Sequence, residues 1–421
     1  MSWWKASVAT AVAQAFRMLG GLIVIKIIAI YLGPEGFGRL GHFMSMIAIL
    51  GVLAGGGILN GIVKYVAEYK GTPDRLHPFL SNALAYTLIF STLLFIIISL
   101  SAKQLSLILF GGKEFTQLII FLGLIQYFYG LVTFCNGTIN GLRETTKFAK
   151  IIIFGTLIGL PTSYFFITTY GFSGAVLGLA AVNACLLLPA IFELQKLEFF
   201  KKIKFSLNKQ DTIRLSKFSA MQMFSLATLP LAEMYIRSLI IDNAGWHEAG
   251  LWQSLMRLSS VYVGFFTTFL AAYYMPTLSG LFDKNQIFKY VAKYVAAIGG
   301  IFLIIACMVY IFRGFVFSVI FSKEFVIPAE YVRFQLIGDF FKIMSYVIGF
   351  LIVAKAKAKI YILAELAQTT LYLGVATWLI KAGDVSKVFP AYAISNFLYF
   401  SICFTGLLWF RHTLAQKKSA F

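Results

Sequence analysis

The chain has 421 residues, of which 59% are hydrophobic and 13% charged, with a mean hydropathy of +0.83 and a formal net charge of +19. A soluble domain is about 45–50% apolar and about 25% charged. A soluble globular fold, a disordered chain and a disulfide scaffold are therefore excluded, and the expected class is an all-α integral membrane protein.

A membrane span needs about 20 apolar residues. Charged residues and Gly/Pro punctuation cut the chain into twelve such segments, near 5–32, 38–66, 78–101, 116–141, 148–170, 172–196, 214–241, 247–280, 286–312, 328–354, 358–381 and 386–411. The connections are short, and none is long enough for an extramembrane domain. The first apolar run, Val8 to Leu32, is long enough to be a retained span rather than a cleaved signal.

Ionisable residues inside spans are costly and are read first as functional candidates, each with a structural alternative. In the first span Gln14 and Arg17 share a face. Lys26 follows nine residues later, about 180° around a straight helix. A bend at Gly20-Gly21 would bring Arg17 and Lys26 into one cavity; the alternative for Lys26 is an interfacial anchor. In the second span Asn60, Lys64 and Glu68 form a stripe at i, i+4 and i+8. Lys64 is either a cation at the mouth of a cavity or an anchor paired to Glu68. Gln126, Thr133 and Asn140, at heptad spacing in the fourth span, read as helix–helix hydrogen-bonding groups.

In the seventh span Gln222, Glu233 and Arg237 share a face, and Glu233 and Arg237 read as an intrahelical ion pair. In the eighth, Gln253 and Arg257 stand at i and i+4. Arg257 has no acidic neighbour within a turn, so an anionic ligand is one candidate for its partner. In the tenth span Gln335, Asp339, Lys342 and Tyr346 line one face. Asp339 and Lys342 either pair locally or set an acid beside a base, as proton or sodium coupling requires. In the eleventh span Glu365 and Gln368 lie together, with Glu365 either a coupling acid or the electrostatic partner of Lys355, Lys357 and Lys359.

The remaining cations sort by membrane side. Twenty-three of the 36 Lys and Arg fall at one set of helix ends and nine at the other, with Arg17, Lys26, Arg257 and Lys342 inside spans. The basic side is expected to be cytoplasmic, with both termini on it. The longest basic connection, Lys196 to Lys217, reads as a linker between halves, giving a six-helix bundle at 1–196, a basic linker at 197–213 and a second six-helix bundle at 214–421. The halves are related: Lys113-Glu114-Phe115 recurs as Lys323-Glu324-Phe325, Ala149-Lys150-Ile151 as Ala358-Lys359-Ile360, and Gly38 as Gly250, at offsets of 210, 209 and 212. Six spans per half make the repeat parallel, an arrangement in which substrate binds between halves that rock against each other.

Catalytic chemistry finds no footing in the sequence. Cys135, Cys185, Cys307 and Cys403 lie in apolar runs and read as buried thiols. The four histidines are scattered, the closest two acids (Glu193 and Glu198) are five residues apart, and no P-loop is present. No metal, cofactor or enzymatic activity is expected. The interior cations outnumber the acids near them, which selects for an anion; multidentate Arg and Lys contacts suit phosphate or diphosphate. The amides of Gln14, Asn60, Gln253 and Gln335 suit a hydroxylated group such as a sugar. An amphiphile with a phosphate linker and a glycan fits both.

These residues also carry a resemblance. Tyr31-Leu32-Gly33-Pro34-Glu35-Gly36-Phe37-Gly38 resembles the turn between the first two helices of polysaccharide exporters of the multidrug/oligosaccharidyl-lipid/polysaccharide superfamily. The run Gly51 to Gly61, followed by Lys64-Tyr65-Val66-Ala67, is similar to the second helix of Wzx flippases. So are Gln335-Leu336-Ile337-Gly338-Asp339 with Lys342, Tyr361-Ile362-Leu363-Ala364-Glu365, and the stretch from Gly250-Leu251-Trp252-Gln253 to Pro276-Thr277-Leu278-Ser279.

The resemblance covers nearly the whole chain and is closest to the subgroup that moves enterobacterial common antigen intermediates. It implies a V of two six-helix bundles in the inner membrane of a Gram-negative bacterium. The implied cargo is undecaprenyl-diphosphate-linked oligosaccharide, carried to the periplasmic leaflet by alternating access, with a polysaccharide polymerase and a chain-length regulator as protein partners. Lys64, Asp339, Lys342 and Glu365 stand in the family-like motifs, Arg17 and Lys26 in a less distinctive first helix, and Arg257 enters on its chemistry alone; Arg17, Lys26, Lys64, Arg257 and Lys342 are together the expected diphosphate ligands. Asp339 or Glu365 is the expected titrating group for an H+ or Na+ gradient. The alternatives are a cation-coupled drug exporter of the same fold, which would prefer an acidic aromatic cavity, and a membrane glycan polymerase or ligase, which needs a catalytic periplasmic loop.

Overall fold

The fold is seen in a computed structural model, which describes residues 3–197, 200, 203–355 and 357–412. Of the groups weighed above, Glu198 and the basic residues Lys201, Lys202, Lys417 and Lys418 lie outside the described residues. Among the described residues every regular element is a helix. Helices satisfy all backbone polar groups internally, which long apolar runs require in lipid. In chain order they are α1 (Trp3–Leu53), α2 (Leu59–Tyr69), α3 (Pro73–Leu100), α4 (Ala102–Phe110), α5 (Thr116–Gly141), α6 (Thr145–Ala184) and α7 (Leu187–Gln195). They continue as α8 (Lys209–Phe269), α9 (Met275–Gly280), α10 (Lys284–Ile311), α11 (Arg313–Ile320), α12 (Ala329–Ala354), α13 (Ala358–Ala382) and α14 (Val388–His412).

Eight stretches among the described residues are long and apolar enough to cross a membrane. Two of them, Thr10–Gly56 and Thr145–Gln195, have 47 and 51 residues, twice what one crossing needs. Each is broken at a glycine with positive φ, Gly33 (61°) and Gly171 (53°), and α8 is broken likewise at Gly245 (82°). Divided there, helical segments occupy each of the twelve expected places.

The second span departs from expectation. It is interrupted, with α1 ending at Leu53 and α2 beginning at Leu59. Gly55, Gly56 and Gly57 between them all have positive φ (71°, 88° and 65°). A side chain at three successive left-handed positions is prohibitive, so only glycine permits this break. It also lets backbones meet: a Cβ at Gly55 would lie 3.0 Å from the Gly130 Cα of α5. The short helices α4, α7, α9 and α11, which the sequence reading left as parts of spans or connections, are further additions.

The duplication is visible in the elements. Helices α3, α4 and α5 have 28, 9 and 26 residues; α10, α11 and α12 have 28, 8 and 26. Gly33 and Gly245, 212 residues apart, make the same turn, with ψ of −171° and −179°.

The chain divides into two compact units, Met1–Met234 and Tyr235–Phe421. In the first, α1 packs on α6, and α5 on α3 and α2, around Ile58, Ile62, Val66, Phe79, Ile139 and Leu215. In the second, α12 is central and packs on α14 and α10. Lipid tails supply no hydrophobic drive between helices, so close van der Waals fit and buried hydrogen bonds hold such bundles together.

Candidate functional site

A heavily bonded buried group lies in the second unit. Asp339, on α12, has no exposed surface. Its Oδ1 accepts from Ser259 Oγ of α8 at 2.5 Å and from the Tyr392 hydroxyl of α14 at 2.7 Å. Its Oδ2 accepts from the Tyr262 hydroxyl of α8. Gln335, one turn earlier on α12, turns its Nε2 toward the same carboxylate at 3.3 and 3.5 Å. Three helices thus converge on one acid. Lys342 Nζ stands 5.7 Å above the ring of Tyr392, which places a cation beside the cluster.

Local sequence explains this geometry. Ser259 and Tyr262 are three apart and so share a face of α8; Gln335, Asp339 and Lys342 share one on α12. Gly338 supplies the space for the third helix, since a Cβ there would overlap the ring of Tyr392. A buried carboxylate is tolerable only when its oxygens are bonded, and hydroxyls that can donate meet that need.

A buried cation of the same unit is Arg237 on α8, also without exposed surface. Its Nη2 donates to Gln253 Oε1 at 2.6 Å, and its guanidinium stacks over Trp252 at 5.3 Å. The break at Gly245 folds α8 back on itself and makes this i, i+16 contact possible. Gln253 is 3% exposed, so its amide faces Arg237 across the turn.

In the first unit the polar residues lie more open. Asn60, Lys64 and Glu68 form an exposed stripe along α2. Lys64 Nζ stands 4.8 Å over Tyr65 and 6.0 Å from the Phe218 centroid. Arg17 is exposed on α1 and directs Nη2 toward Asn183 Oδ1 of α6 at 3.5 Å. Gln14 and Lys26 are half-buried. Helix α1 stays helical through Gly20 and Gly21, and Gly20 is where Thr156 of α6 packs. On that unbroken helix Arg17 and Lys26 project about 180° apart.

The beginning of α8 docks on α2 and α3 inside this same unit. Asn82 Oδ1 accepts from Asn208 N at 2.7 Å and Thr212 Oγ1 at 3.0 Å. Arg214 donates to the Tyr69 hydroxyl at 2.8 Å, and Tyr86 shares a 2.8 Å bond with Ser219. The basic end of the chain's central connection is therefore fastened beside Lys64.

Of the residues singled out from sequence, Gln335, Asp339 and Lys342 come together, and Arg257 is half-buried two residues before Ser259. Glu365 is half-buried on α13, where Gln368 bonds Asn396 of α14 at 3.4 Å; it is not among the groups gathered on Asp339. The sequence reading missed Ser259, Tyr262 and Tyr392. Ser259 and Tyr262 lie on a different face of α8 from Gln253 and Arg257, Tyr262 being nine residues and about 180° from Gln253; hydroxyls are common in spans, so neither they nor Tyr392 carried a signal.

Comparison with known proteins adds three findings. Residues 3–282 match the family described as polysaccharide biosynthesis protein. The chain is 34% identical over 414 residues to the lipid III flippase of Escherichia coli (strain K12), covering 98% of this chain and 100% of that one, and equally to the lipid III flippase of Shigella flexneri. Among solved structures it is similar to the inward-facing conformation of a multidrug resistance MATE family transporter of the MOP superfamily. The TM-score is 0.73 with 16% identity, and the match covers 96% of each chain. At that identity the likeness shows the fold.

Proposed function

The chain belongs to the polysaccharide biosynthesis protein family, and on that premise we propose that it is a flippase for a polyprenyl-diphosphate-linked oligosaccharide: a transporter, not an enzyme. The observation that carries this reading is the end-to-end 34% identity to proteins named lipid III flippase. The twelve helical segments and the MATE-like fold suit alternating access.

In this reading the protein sits in the bacterial inner membrane with both termini cytoplasmic, as the distribution of Lys and Arg argues. Arg17, Lys64, Arg257 and Lys342 receive the diphosphate during the cycle, while Lys26, on the opposite face of the unbroken α1 from Arg17, takes the alternative role of an interfacial anchor. Guanidinium and ammonium groups can hold phosphate oxygens through charge-assisted bonds. Gln14 and Asn60 face the glycan. Gln253 and Gln335 act one step removed, holding Arg237 and the Asp339 cluster. Asp339, with Glu365 as second candidate, takes up the H+ or Na+ that drives the return. An acid held by hydroxyls can keep its bonding when it takes up a proton, because one hydroxyl turns to accept from the new O–H while the others go on donating.

The experiment is complementation of a strain lacking its own lipid III flippase. The wild-type chain restores surface glycan, and Arg17→Ala with Arg257→Ala loses it at normal protein level. Full restoration by that double variant would overturn the ligand assignment; resistance to cationic drugs without restored glycan would favour a drug exporter of the same fold.

A further inference from the structure

The duplicated halves differ at one connection. Between α4 and α5 the chain needs five residues, Gly111 to Phe115; between α11 and α12 it uses eight, Phe321 to Pro328. In the first half the loop closes on itself: Ser106 Oγ donates to Gly112 O at 2.5 Å, and Phe110, Phe115 and Phe172 pack together with centroids 5.0–5.5 Å apart. In the second half Val316 stands at the position of Ser106 and cannot make this bond, and the nearby Ser318 bonds its own helix at Phe315 O. The longer loop, with Val326 and Ile327 in its added stretch, stands off and leaves a cavity of about 420 Å³.

The chemistry of that cavity has one sign. Its ionisable lining residues are Arg313 and Lys323, both cations. Ser322 is also a lining residue, and its buried hydroxyl has no hydrogen-bond partner. Ala329, the first residue of the 26-residue helix α12, borders it, and its N-cap Pro328 brings no side-chain cap to the open N–H groups. The first-turn acid Glu330 is 3.8 Å from Arg333 and is not part of the lining. Among its lining residues Ile311 and Val326 are exposed apolar side chains, at 67 and 77%. Two cations, a spare hydroxyl and a helix N-terminus inside an apolar rim match a phosphate group whose other end is in lipid.

We propose that the cavity between α11 and α12 binds the phosphate headgroup of an anionic lipid. It does so on the membrane face opposite the basic helix ends and apart from the cargo ligands above. An ammonium-bearing zwitterionic headgroup brings a third positive charge beside Arg313 and Lys323 and is a poorer ligand. This inference does not require that the cargo be a lipid-linked glycan, only that α11 lie at a membrane surface.

The test uses the purified full chain in detergent, titrated separately with phosphatidylglycerol, phosphatidylcholine and inorganic phosphate while thermal unfolding is followed. Phosphatidylglycerol should raise the melting temperature of the wild type more than phosphatidylcholine does. In R313Q/K323Q its apparent affinity should fall about tenfold or more, two cations near an anionic headgroup being removed. Inorganic phosphate acting as strongly as phosphatidylglycerol would overturn the lipid assignment in favour of a free-anion site; equal shifts in wild type and variant would overturn the site itself. Should R313Q/K323Q fold poorly, a photo-crosslinking residue at exposed Val326 gives a second readout. A phosphatidylglycerol adduct there supports the proposal, and adducts in proportion to bulk lipid contradict it.

Discussion

The Tyr392 hydroxyl of α14 donates to the buried Asp339 carboxylate of α12 at 2.7 Å, and it does so because residue 338 has no side chain. Gly338→Ala puts a methyl group into the ring of Tyr392. Overpacking of this kind costs about 1–3 kcal/mol. The expected result is a lower melting temperature in detergent and reduced activity, with Gly338→Leu worse than Gly338→Ala. An unchanged melting temperature would show that α12 and α14 have slack at this point.

Asp339 is the group on which the second unit's polar chemistry converges. Asp339→Asn keeps shape but removes the charge and turns one acceptor oxygen into an NH2 donor, which a neighbouring hydroxyl can meet as acceptor. Protein level should stay near wild type while complementation is lost. Tyr262→Phe and Tyr392→Phe each leave one carboxylate oxygen short of a donor, at about 1–3 kcal/mol. Because both act on one carboxylate, the double variant should depart from the sum of the singles by more than about 0.5 kcal/mol in a double-mutant cycle. Strict additivity would mean that the hydroxyls do not act through a common acid.

Arg237 and Gln253 should matter for stability rather than for cargo. Arg237→Ala leaves the Gln253 amide oxygen buried without the guanidinium it faces at 2.6 Å, a loss of about 1–3 kcal/mol for an unsatisfied buried polar group. Arg237→Met with Gln253→Leu replaces both by apolar groups and should recover part of it. Thermal unfolding of the three variants checks the order.

The docking of α8 on the first unit gives a prediction about motion. Asn82→Ala removes the acceptor for Asn208 N and Thr212 Oγ1. Amide hydrogens between 204 and 215 should then exchange faster, while those of α5 stay protected. Uniform exchange across both regions would contradict a local latch.

Much of this was legible in the sequence. Apolar length placed the helical segments, and the matching motifs at offsets near 210 announced halves whose helices agree in length. What escaped were features set by tertiary approach. The break at Gly55-Gly56-Gly57 depends on the backbone of Gly130 coming close, which no local pattern reports. The acid at 339 could be named from its stripe with Gln335 and Lys342, but its hydroxyl partners come from α8 and α14, far away in the chain. Arg237 was paired with Glu233 on spacing, whereas the turn at Gly245 carries it to Gln253 and Trp252. The Phe321–Pro328 loop looked like a bare connection because a cavity has no sequence signature of its own.

The central claim is that this chain moves a diphosphate-linked glycan lipid between leaflets. The direct measurement is transbilayer movement of a fluorescent polyprenyl-diphosphate oligosaccharide in proteoliposomes holding the purified full chain, read as the fraction reached by a membrane-impermeant quencher over time. The account predicts accelerated movement by the wild-type chain and its loss in Asp339→Asn and in Arg17→Ala with Arg257→Ala. Movement no faster than in protein-free liposomes, or joining of glycan units without movement, would contradict it.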